Sequence, residues 1–371
     1  MVVKYKWESD FFMENEIRVL QVGCGKMSKY TMRYVYEHGG KIVGAVDIDE
    51  SLIGKDIASV IDCEKKGIVI EPLKKLEDLL ITSKADIAVV TTMSLLSDVK
   101  DVLMTCAKVG VNAITTCEEA FFASNSNTKD FNDIDALAKT TGCTICGSGY
   151  QDFAWGNLVA TLAGCSHKIT KIKGSSSYNV EDYGIALAKA HGAGLSLEQF
   201  DKEVASYDRI SQQEREEMIN KGTFAPSYMW NVVGWLADKL NLEITSMDQK
   251  CVPITHDKDI ESKTLNMTIK AGEATGMSAI VTANTKEGIT IEAQCIGKVY
   301  APEDIDTNVW TVEGEPSTTV TINNPDTVAL TCANIVNRIP DVIKAAPGFI
   351  ATSQMGELTY KTKDLHEYLG K

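Results

Sequence analysis

Arginine is scarce in this chain of 371 residues: five are present, and the formal net charge at pH 7 is −14. A protein that binds nucleic acid needs a basic face to neutralise phosphates, so this composition argues against nucleic acid as a partner. No apolar run reaches the roughly 20 residues of a membrane-spanning helix, so we expect no membrane association. The first residues contain lysines, acids and aromatics without an apolar core, which is not the pattern of a secretory signal.

Ten cysteines and five histidines give no pattern of a metal site. Cys143 and Cys146 form a Cys-x-x-Cys string, but the segment is apolar and predicts a buried strand, in which residues three apart point to opposite faces. No second Cys-x-x-Cys pair and no His-x-x-x-His pair supplies further ligands. We therefore predict reduced, buried thiols in a cytoplasmic protein and no metal.

The segment from residue 17 to Asp47 has the order strand, glycine turn, helix, strand, acid. This order is the fingerprint of a dinucleotide-binding βαβ unit. The first glycine permits a tight turn, the second lets the backbone approach the pyrophosphate, and the helix N-terminus faces the phosphates. The predicted cofactor-binding residues of this turn are Gly23, Gly25, Lys26, Met27 and Ser28. Because the third small position is a serine, a glycine turn in an ordinary α/β sheet remains the alternative.

Asp47 follows Gly23 by 24 residues and ends the second strand. Its carboxylate is suited to accept hydrogen bonds from the adenosine ribose, and it repels a 2′-phosphate. The three residues after it are Ile48, Asp49 and Glu50, with no arginine among them. The sequence therefore favours NAD, and NADP stays possible because a lysine from elsewhere could bind the phosphate.

The alternation of strands and helices predicts an α/β fold with a Rossmann-type doubly wound parallel sheet. A second α+β domain follows, with a large mixed or antiparallel sheet suited to substrate binding and oligomerisation. We expect an N-terminal extension over residues 1–16, the dinucleotide domain over 17–150 and the second domain over 151–325. We expect residues 326–371 to form a C-terminal helix and tail that pack back on the dinucleotide domain.

Ligands of such a sheet bind beyond the carboxyl ends of its strands, where the nicotinamide is expected. Three strand ends supply the candidates, which are Thr91, Thr92 and Met93, then Cys117, Glu118 and Glu119, and finally Tyr150 as a substrate contact. Successive residues of an extended chain point oppositely, so one of the two glutamates faces the cofactor. Burial beside aromatics raises the pKa of a carboxylate, as a general base requires. The alternative is a pair of acids that cap the next helix or lie in solvent.

Aromatic and histidine side chains of the second domain are the other candidates for a substrate pocket. Trp155, Tyr178 and Tyr183 could line it, although aromatics are common core residues. His191 and His256 are the best placed histidines, and each is either a donor to substrate or a residue bonded within the fold.

The string Ile114-Thr115-Thr116-Cys117-Glu118-Glu119 resembles the family of 2,4-diaminopentanoate dehydrogenases and native amine dehydrogenases. The segment from Asn334 to Pro340, followed by Ala346-Pro347-Gly348, is similar to the same group, and the resemblance extends over nearly the whole chain after about residue 15. It implies a nucleotide domain like that of dihydrodipicolinate reductase, a homodimer, and NAD(P)-dependent oxidative deamination. The implied substrate is 2,4-diaminopentanoate, converted to 2-amino-4-oxopentanoate and ammonia.

The resemblance also implies roles for individual residues. A glutamate at this strand end is the catalytic carboxylate, and the similarity of Trp155, Tyr178 and Tyr183 to pocket aromatics of the family favours Glu118, with Glu119 still open. The substrate carboxylate needs a cation or hydroxyls, for which the candidates are His191, Arg209 and the run Ser175-Ser176-Ser177.

Other functions are weighed against this one. The lysine that sugar and inositol dehydrogenases carry at this strand end is absent, and so is the His-His motif of dihydrodipicolinate reductase. An amine dehydrogenase for simple amines, an NAD-dependent alcohol or semialdehyde dehydrogenase and a non-catalytic NAD sensor remain as alternatives.

Overall fold

The computed structural model describes residues 16–370, so the predicted N-terminal extension lies outside the described residues except for Glu16. The described chain divides into two compact units. The first comprises the residues up to Phe153 together with those from Thr327 onward, and the second is Ala154–Asp326. Among these residues, no helix is both long and apolar enough to cross a membrane.

The strands and helices alternate along the first part of the chain, as the sequence predicts. The strands of residues 16–370 are β1 (Arg18–Val22), β2 (Lys41–Asp47), β3 (Ile70–Pro72), β4 (Ile87–Val90), β5 (Asn112–Thr115), β6 (Thr144–Gly147), β7 (Lys168–Asn179), β8 (Ile244–Thr255), β9 (Ile260–Ser262), β10 (Met267–Ile269), β11 (Ala274–Thr285), β12 (Thr290–Lys298), β13 (Thr307–Glu315), β14 (Thr318–Asn323) and β15 (Gly348–Phe349). The α-helices of the same residues are α1 (Ser28–Glu37), α2 (Ala58–Ile61), α3 (Leu76–Thr82), α4 (Leu96–Val109), α5 (Thr128–Thr141), α6 (Leu158–Ala163), α7 (Ile185–Ala190), α8 (Leu197–Glu203), α9 (Gln212–Lys221), α10 (Tyr228–Lys239) and α11 (Thr327–Lys344).

The first unit has one seven-stranded sheet in the order β15-β6-β5-β4-β1-β2-β3. All neighbouring strands in it are parallel. Its central strands are apolar on both faces because helices cover both. Helices α3, α4 and α5 close one core, and α1, α2 and α11 close the other. This arrangement confirms the predicted doubly wound parallel sheet.

Cys143 and Cys146 lie in different cores of this unit. Cys143 packs in the core under α4 and α5, whereas Cys146 packs in the core under α1 and α11. Both are free thiols. The prediction that these two side chains point to opposite faces of the sheet is confirmed.

Helix α11 is the C-terminal contribution to the first unit. It packs against α1, and Ile335, Val336 and Ile339 share a core with Met32 and Val35 of that helix. The apolar positions recur with helical spacing, so one face of α11 is buried along most of its length.

The second unit is built on a six-stranded sheet in the order β14-β13-β7-β12-β11-β8. Its strands are antiparallel except for β7 and β12, which run parallel, so the sheet is mixed. The string Lys286-Glu287-Gly288 predicts a hairpin turn, and residues 286–288 do join β11 to β12, with a φ of +79° at Gly288. Gly174 of β7 gives space to the ring of Trp310, since a Cβ would lie 2.4 Å from it.

The alternation of apolar and polar residues over 264–270 predicts one long strand, and this prediction is wrong. Only Met267–Ile269 is extended, and it pairs with β9 in a separate two-stranded sheet. Asn266 has a positive φ of 52°, which marks a turn before the strand. The apolar residues of this segment therefore belong to a short hairpin rather than to the six-stranded sheet.

Candidate active site

Gly23 follows β1 and makes the tight turn of the glycine loop, by which we mean residues 23–28. Its φ of +84° is a left-handed value that favours glycine. A Cβ at this position would lie 2.7 Å from the carbonyl oxygen of Thr91 and 2.7 Å from Cγ2 of Thr92. The structure thus brings three predicted cofactor residues together. At Gly25, by contrast, a Cβ would meet no heavy atom within 4 Å, so the backbone is open to a ligand.

Asp47 closes the loop at the end of β2. Its Oδ2 accepts a hydrogen bond of 2.5 Å from the backbone N–H of Cys24, and its Oδ1 accepts from the N–H groups of Ile48 and Asp49 at 2.7 and 2.8 Å. These three donors fix the carboxylate beside the loop, where the ribose of a dinucleotide is expected.

Gln21 of β1 holds the glycine loop by hydrogen bonds, a role that the sequence analysis did not predict. Its Nε2 donates to the carbonyl oxygen of Gly23 and to Oγ1 of Thr91, both at 2.9 Å. Its Oε1 accepts from the hydroxyl of Thr31 of α1 at 2.9 Å. A buried glutamine in an otherwise apolar strand is the signal that could have revealed this residue, because buried amides need partners.

Helix α1 presents an open N-terminus next to the loop. Its first turn has no side-chain cap and no acidic residue, so the N–H groups and the positive end of the helix dipole face the place where a pyrophosphate would lie. Ser28 is buried and donates to the carbonyl oxygen of Gly25 at 2.8 Å. The hydroxyl is therefore satisfied within the loop, which explains why serine fits the third small position. Lys26 is exposed beside it.

Glu119 serves the fold of the first unit. Its carboxylate is buried, with Oε2 accepting from the backbone N–H of Leu96 at 2.7 Å and Oε1 accepting from the hydroxyl of Ser126 at 2.9 Å. Leu96 is the first residue of α4, so Glu119 caps that helix from a distant segment. Burial raises the pKa of Glu119, and these two hydrogen bonds oppose the rise.

Glu118 is the other carboxylate at the end of β5. It is half-buried, and burial raises the pKa of its carboxyl while a hydrogen bond with the Ser94 side chain opposes the rise. Cys117, directly before it, is fully buried and donates to the carbonyl oxygen of Ser94 at 3.1 Å. Burial also raises the pKa of the Cys117 thiol, which keeps it protonated. Met93, at the end of β4, is exposed.

A buried ion pair lies under the end of β6, where Tyr150 was predicted to contact substrate. Asp152 and Arg338 are both fully buried, and Nε of Arg338 donates to Oδ2 of Asp152 at 2.8 Å. Nη1 of Arg338 donates to the carbonyl oxygen of Gly356 at 2.7 Å. Tyr150 is buried, and its N–H donates to Oγ1 of Thr331 at 3.1 Å. The pair ties the loop after β6 to α11, a contact that the sequence did not predict.

In the second unit, Tyr178 and His191 form a hydrogen-bonded pair. Oη of Tyr178 lies 2.7 Å from Nε2 of His191, and Nδ1 of His191 lies 2.9 Å from the carbonyl oxygen of Leu187. A carbonyl only accepts, so Nδ1 carries the hydrogen. Burial lowers the pKa of His191 and raises that of Tyr178, so both groups are neutral and Tyr178 donates to Nε2.

Gly297 of β12 makes room for this pair. It lies beside Tyr178 in the sheet, and a Cβ there would be 2.5 Å from Cδ2 of His191 and 2.8 Å from Oη of Tyr178. Tyr183 packs edge-on against Tyr178 with ring centroids 5.5 Å apart. Three of the predicted pocket residues are thus in one cluster.

The remaining candidates of the second unit are dispersed. Trp155 is buried in a π-helical turn, Asp152–Asn157. Arg209 is exposed and forms an ion pair with Asp201. Ser176 is buried on one face of β7, while its two serine neighbours are half-buried on the other. The run therefore does not present three hydroxyls to one ligand. His256 is half-buried and lies 3.7 Å from Glu303.

The model of the 2,4-diaminopentanoate dehydrogenase C-terminal domain matches residues 153–367, more than half of the chain. The chain belongs to the 2,4-diaminopentanoate dehydrogenase family. The amine dehydrogenase of Mycobacterium smegmatis is similar in structure, with 31% identity, a TM-score of 0.78, and coverage of 94% of this chain and 98% of the other. The resemblance that the sequence indicated is confirmed.

Two further proteins are similar to this chain at lower identity. The 2,4-diaminopentanoate dehydrogenase of Acetoanaerobium sticklandii is 24% identical over 90% of this chain and 91% of its own length. A probable dehydrogenase from Thermotoga maritima is 11% identical, with a TM-score of 0.56 over 95% of this chain and 93% of the other, and shares the fold. This member of the 2,4-diaminopentanoate dehydrogenase family is an oxidoreductase with amine dehydrogenase activity.

Proposed function

We propose that the protein catalyses the NAD-dependent oxidative deamination of 2,4-diaminopentanoate to 2-amino-4-oxopentanoate and ammonia. The family membership and the curated relative support this substrate. The observation on which the proposal depends is that the two adjacent glutamates have different contacts. Glu119 is bonded to Leu96 and Ser126, and this leaves Glu118 as the half-buried carboxylate at the end of β5.

The glycine loop fits the dinucleotide NAD. Gly25 leaves open space for the pyrophosphate, the uncapped N-terminus of α1 supplies N–H groups, and Asp47 is held beside the loop to accept the ribose hydroxyls. Thr91, Thr92 and Met93 at the end of β4, with Cys117, complete the proposed contacts. When bound, the nicotinamide accepts the hydride from the amine carbon. The charge of Asp47 favours NAD over NADP, because a 2′-phosphate beside it would be repelled.

Glu118 acts as the general base in this proposal. An amine is protonated at neutral pH and cannot release hydride in that form, so Glu118 first accepts the proton of the substrate ammonium. Glu118 releases this proton to solvent, and the carboxylate then stabilises the positive charge of the iminium. It next accepts a proton from the water that adds to the iminium carbon and passes that proton to the nitrogen, so that the carbon–nitrogen bond breaks and ammonia leaves. The raised pKa of Glu118 suits a group that must both take and return protons near neutral pH.

The cluster of Tyr178, Tyr183 and His191 forms the proposed substrate pocket of the second unit. Tyr178 donates the hydrogen of its hydroxyl group to Nε2 of His191 in a hydrogen bond, so the lone pairs of its oxygen remain as acceptors. They are suited to the second ammonium group of a diamine acid. Both ring nitrogens of His191 are already bonded, so His191 positions Tyr178 rather than binding the carboxylate directly.

The protein functions as a cytoplasmic homodimer in this proposal. One face of the six-stranded sheet is half-exposed, and on it Ser175, Gln294 and Val309 are neighbours across β7, β12 and β13. Its mixture of small polar and apolar side chains suits a symmetric contact between two copies. The molar mass in solution, measured by light scattering, would be twice that of the chain for a dimer.

The deciding experiment measures NADH formation and ammonia release with 2,4-diaminopentanoate, beside simple amines, amino acids, alcohols and semialdehydes. Turnover of the diamine acid with one ammonia per NADH supports the proposal. Turnover of simple amines alone would keep the reaction and change the substrate. Turnover of an alcohol without ammonia would overturn the proposed reaction.

A further inference from the structure

The amide of Asn334 on α11 reaches the end of β6. This side chain is 4% exposed, and its amide lies 2.8 Å from Oγ of Ser148, the residue after β6. Two residues earlier on the same helix, Cys332 contacts the glycine loop, because its Sγ donates to the carbonyl oxygen of Met27 at 3.4 Å. This part of α11 therefore extends from the glycine loop to the strand end next to β5.

The hydroxyl of Ser148 determines how this amide is oriented. Oγ of Ser148 lies 3.0 Å from Oδ2 of Asp152 and 2.8 Å from the amide of Asn334, yet it has one hydrogen to give. Asp152 is a carboxylate paired with Arg338 and can only accept. Ser148 therefore donates to Asp152 and accepts from the nitrogen of Asn334. The oxygen and nitrogen of an amide exchange places by a simple flip, so the oxygen of Asn334 faces the other way.

The outward-facing atom of the Asn334 amide has no hydrogen-bond partner among residues 16–370. Gln151, two residues after Gly149 in the same loop, is 6% exposed, and its Nε2 likewise has none within the described chain. A buried polar atom left without a partner costs about 1–3 kcal/mol. Two such amides at one strand end indicate a polar ligand that supplies their missing hydrogen-bond partners.

We propose that Asn334 recognises the carboxamide of the nicotinamide ring. The inference rests on the proposed NAD dependence. A carboxamide offers an N–H donor, which the outward-facing oxygen of Asn334 accepts, and a carbonyl oxygen, which suits the nitrogen of Gln151. The location agrees, because β6 neighbours β5, whose end carries Glu118. Asn334 is then a positioning residue: by holding the carboxamide it fixes the rotation of the ring, and so the ring face that receives the hydride.

Binding of a cofactor analogue tests this directly. Reduced 3-acetylpyridine adenine dinucleotide keeps the carbonyl oxygen of NADH and replaces the NH₂ group by a methyl group. We expect the full-length wild-type protein to bind this analogue about tenfold more weakly than NADH, the effect of one buried hydrogen bond. Dissociation constants are measured by fluorescence titration without any amine substrate, so catalysis does not enter the readout.

The Asn334→Leu variant is expected to bind NADH and the analogue with equal, weakened affinity. Asn337→Leu is the matched control, since Asn337 is on the same helix but bonds to the N–H of Lys361 at 3.0 Å. We expect this control to keep the tenfold discrimination. Equal wild-type affinities for NADH and the analogue would overturn the inference, even if Asn334→Leu did not fold. Discrimination that survives in folded Asn334→Leu would also overturn it. Failure of the wild-type protein to bind NADH at all would instead refute the NAD dependence on which the inference rests.

Discussion

The carboxylate of Glu119 accepts a hydrogen bond of 2.7 Å from the backbone N–H of Leu96, the first residue of α4. This bond joins two segments that are 23 residues apart in the chain. Glu118, one residue earlier, has no part in this cap. Two identical side chains at consecutive positions therefore differ in their contacts: Glu119 caps α4, and Glu118 is the carboxylate to which we assign the chemistry.

Neutralising the two glutamates separately tests this difference. We expect Glu118→Gln to lower kcat for amine oxidation by about 10²–10⁴-fold, the usual contribution of a general base, with NADH affinity unchanged. Glu119→Gln is expected to keep most activity and to lower the free energy of unfolding by about 1 kcal/mol, since glutamine retains one acceptor for the cap. Steady-state kinetics, cofactor titration and urea unfolding measure the three quantities. Loss of activity in Glu119→Gln alone would reverse the assignment.

The pH profile of amine oxidation reports the state of Glu118. Burial raises the pKa of this carboxyl in the folded protein. A protonated Glu118 cannot accept a proton, so activity falls as pH decreases through this raised pKa. We expect the acid limb of kcat to lie above about pH 4.3, the ordinary value for glutamate. The limb should be absent from the residual activity of Glu118→Gln, and an unchanged limb in that variant would assign it to another group.

Asp47 is expected to set the preference between the two nicotinamide dinucleotides. Asp47→Ala removes the ribose acceptor and the charge that repels a 2′-phosphate. It should therefore weaken the binding of NADH by about tenfold and the binding of NADPH much less. Asp49→Ala is the control, because Asp49 bonds to Ser51 instead of the glycine loop. The ratio of the dissociation constants for NADH and NADPH measures this preference. If Asp47→Ala leaves the ratio as it is in the wild-type protein, Asp47 is not at the ribose.

The parallel sheet of the first unit could be predicted because its strands are continuous apolar runs separated by helical patterns. The position of Glu118 after β5 could be predicted because an apolar strand directly precedes it, and its place at a ligand site stays a prediction. The role of Glu119 could not be predicted, since its partner Leu96 belongs to another element. Asp152 and Arg338 are 186 residues apart, and no local pattern indicates that they form a pair.

The central strand of the second sheet was missed for a different reason. Strand β7 is rich in lysine and serine, and its buried face includes Gly174, which is small because Trp310 fills the space above it. When the apolar side chains that cover a strand come from neighbouring strands, the strand itself shows little alternation of apolar and polar residues. The pairing of Tyr178 with His191 depends in the same way on Gly297 of a third segment, so only the folded chain reveals it.

Gly297 offers a test of the pair formed by Tyr178 and His191. Gly297→Ala would place a Cβ 2.7 Å from Nε2 of His191, so the pair must move. We expect a higher KM for the amine, unchanged NADH affinity and a loss of about 1–3 kcal/mol in the free energy of unfolding. Gly356→Ala is the control, because a Cβ there meets no heavy atom within 4 Å. An amine KM equal to that of the wild-type protein would remove the pair from the substrate pocket.

Arg338 is expected to be the arginine on which the first unit most depends. Arg338→Met leaves the carboxylate of Asp152 fully buried without its cation, so the free energy of unfolding should fall by about 3–5 kcal/mol. Arg33→Met is the control, since Arg33 pairs with Glu37 on the surface at 3.5 Å and should contribute less than about 0.5 kcal/mol. Urea unfolding of both variants measures the difference. The double variant Asp152→Asn with Arg338→Met should recover part of the loss, because it no longer buries an unpaired charge. A loss in Arg338→Met no larger than that in Arg33→Met would mean that water reaches Asp152 and that the pair does not hold the loop after β6 against α11.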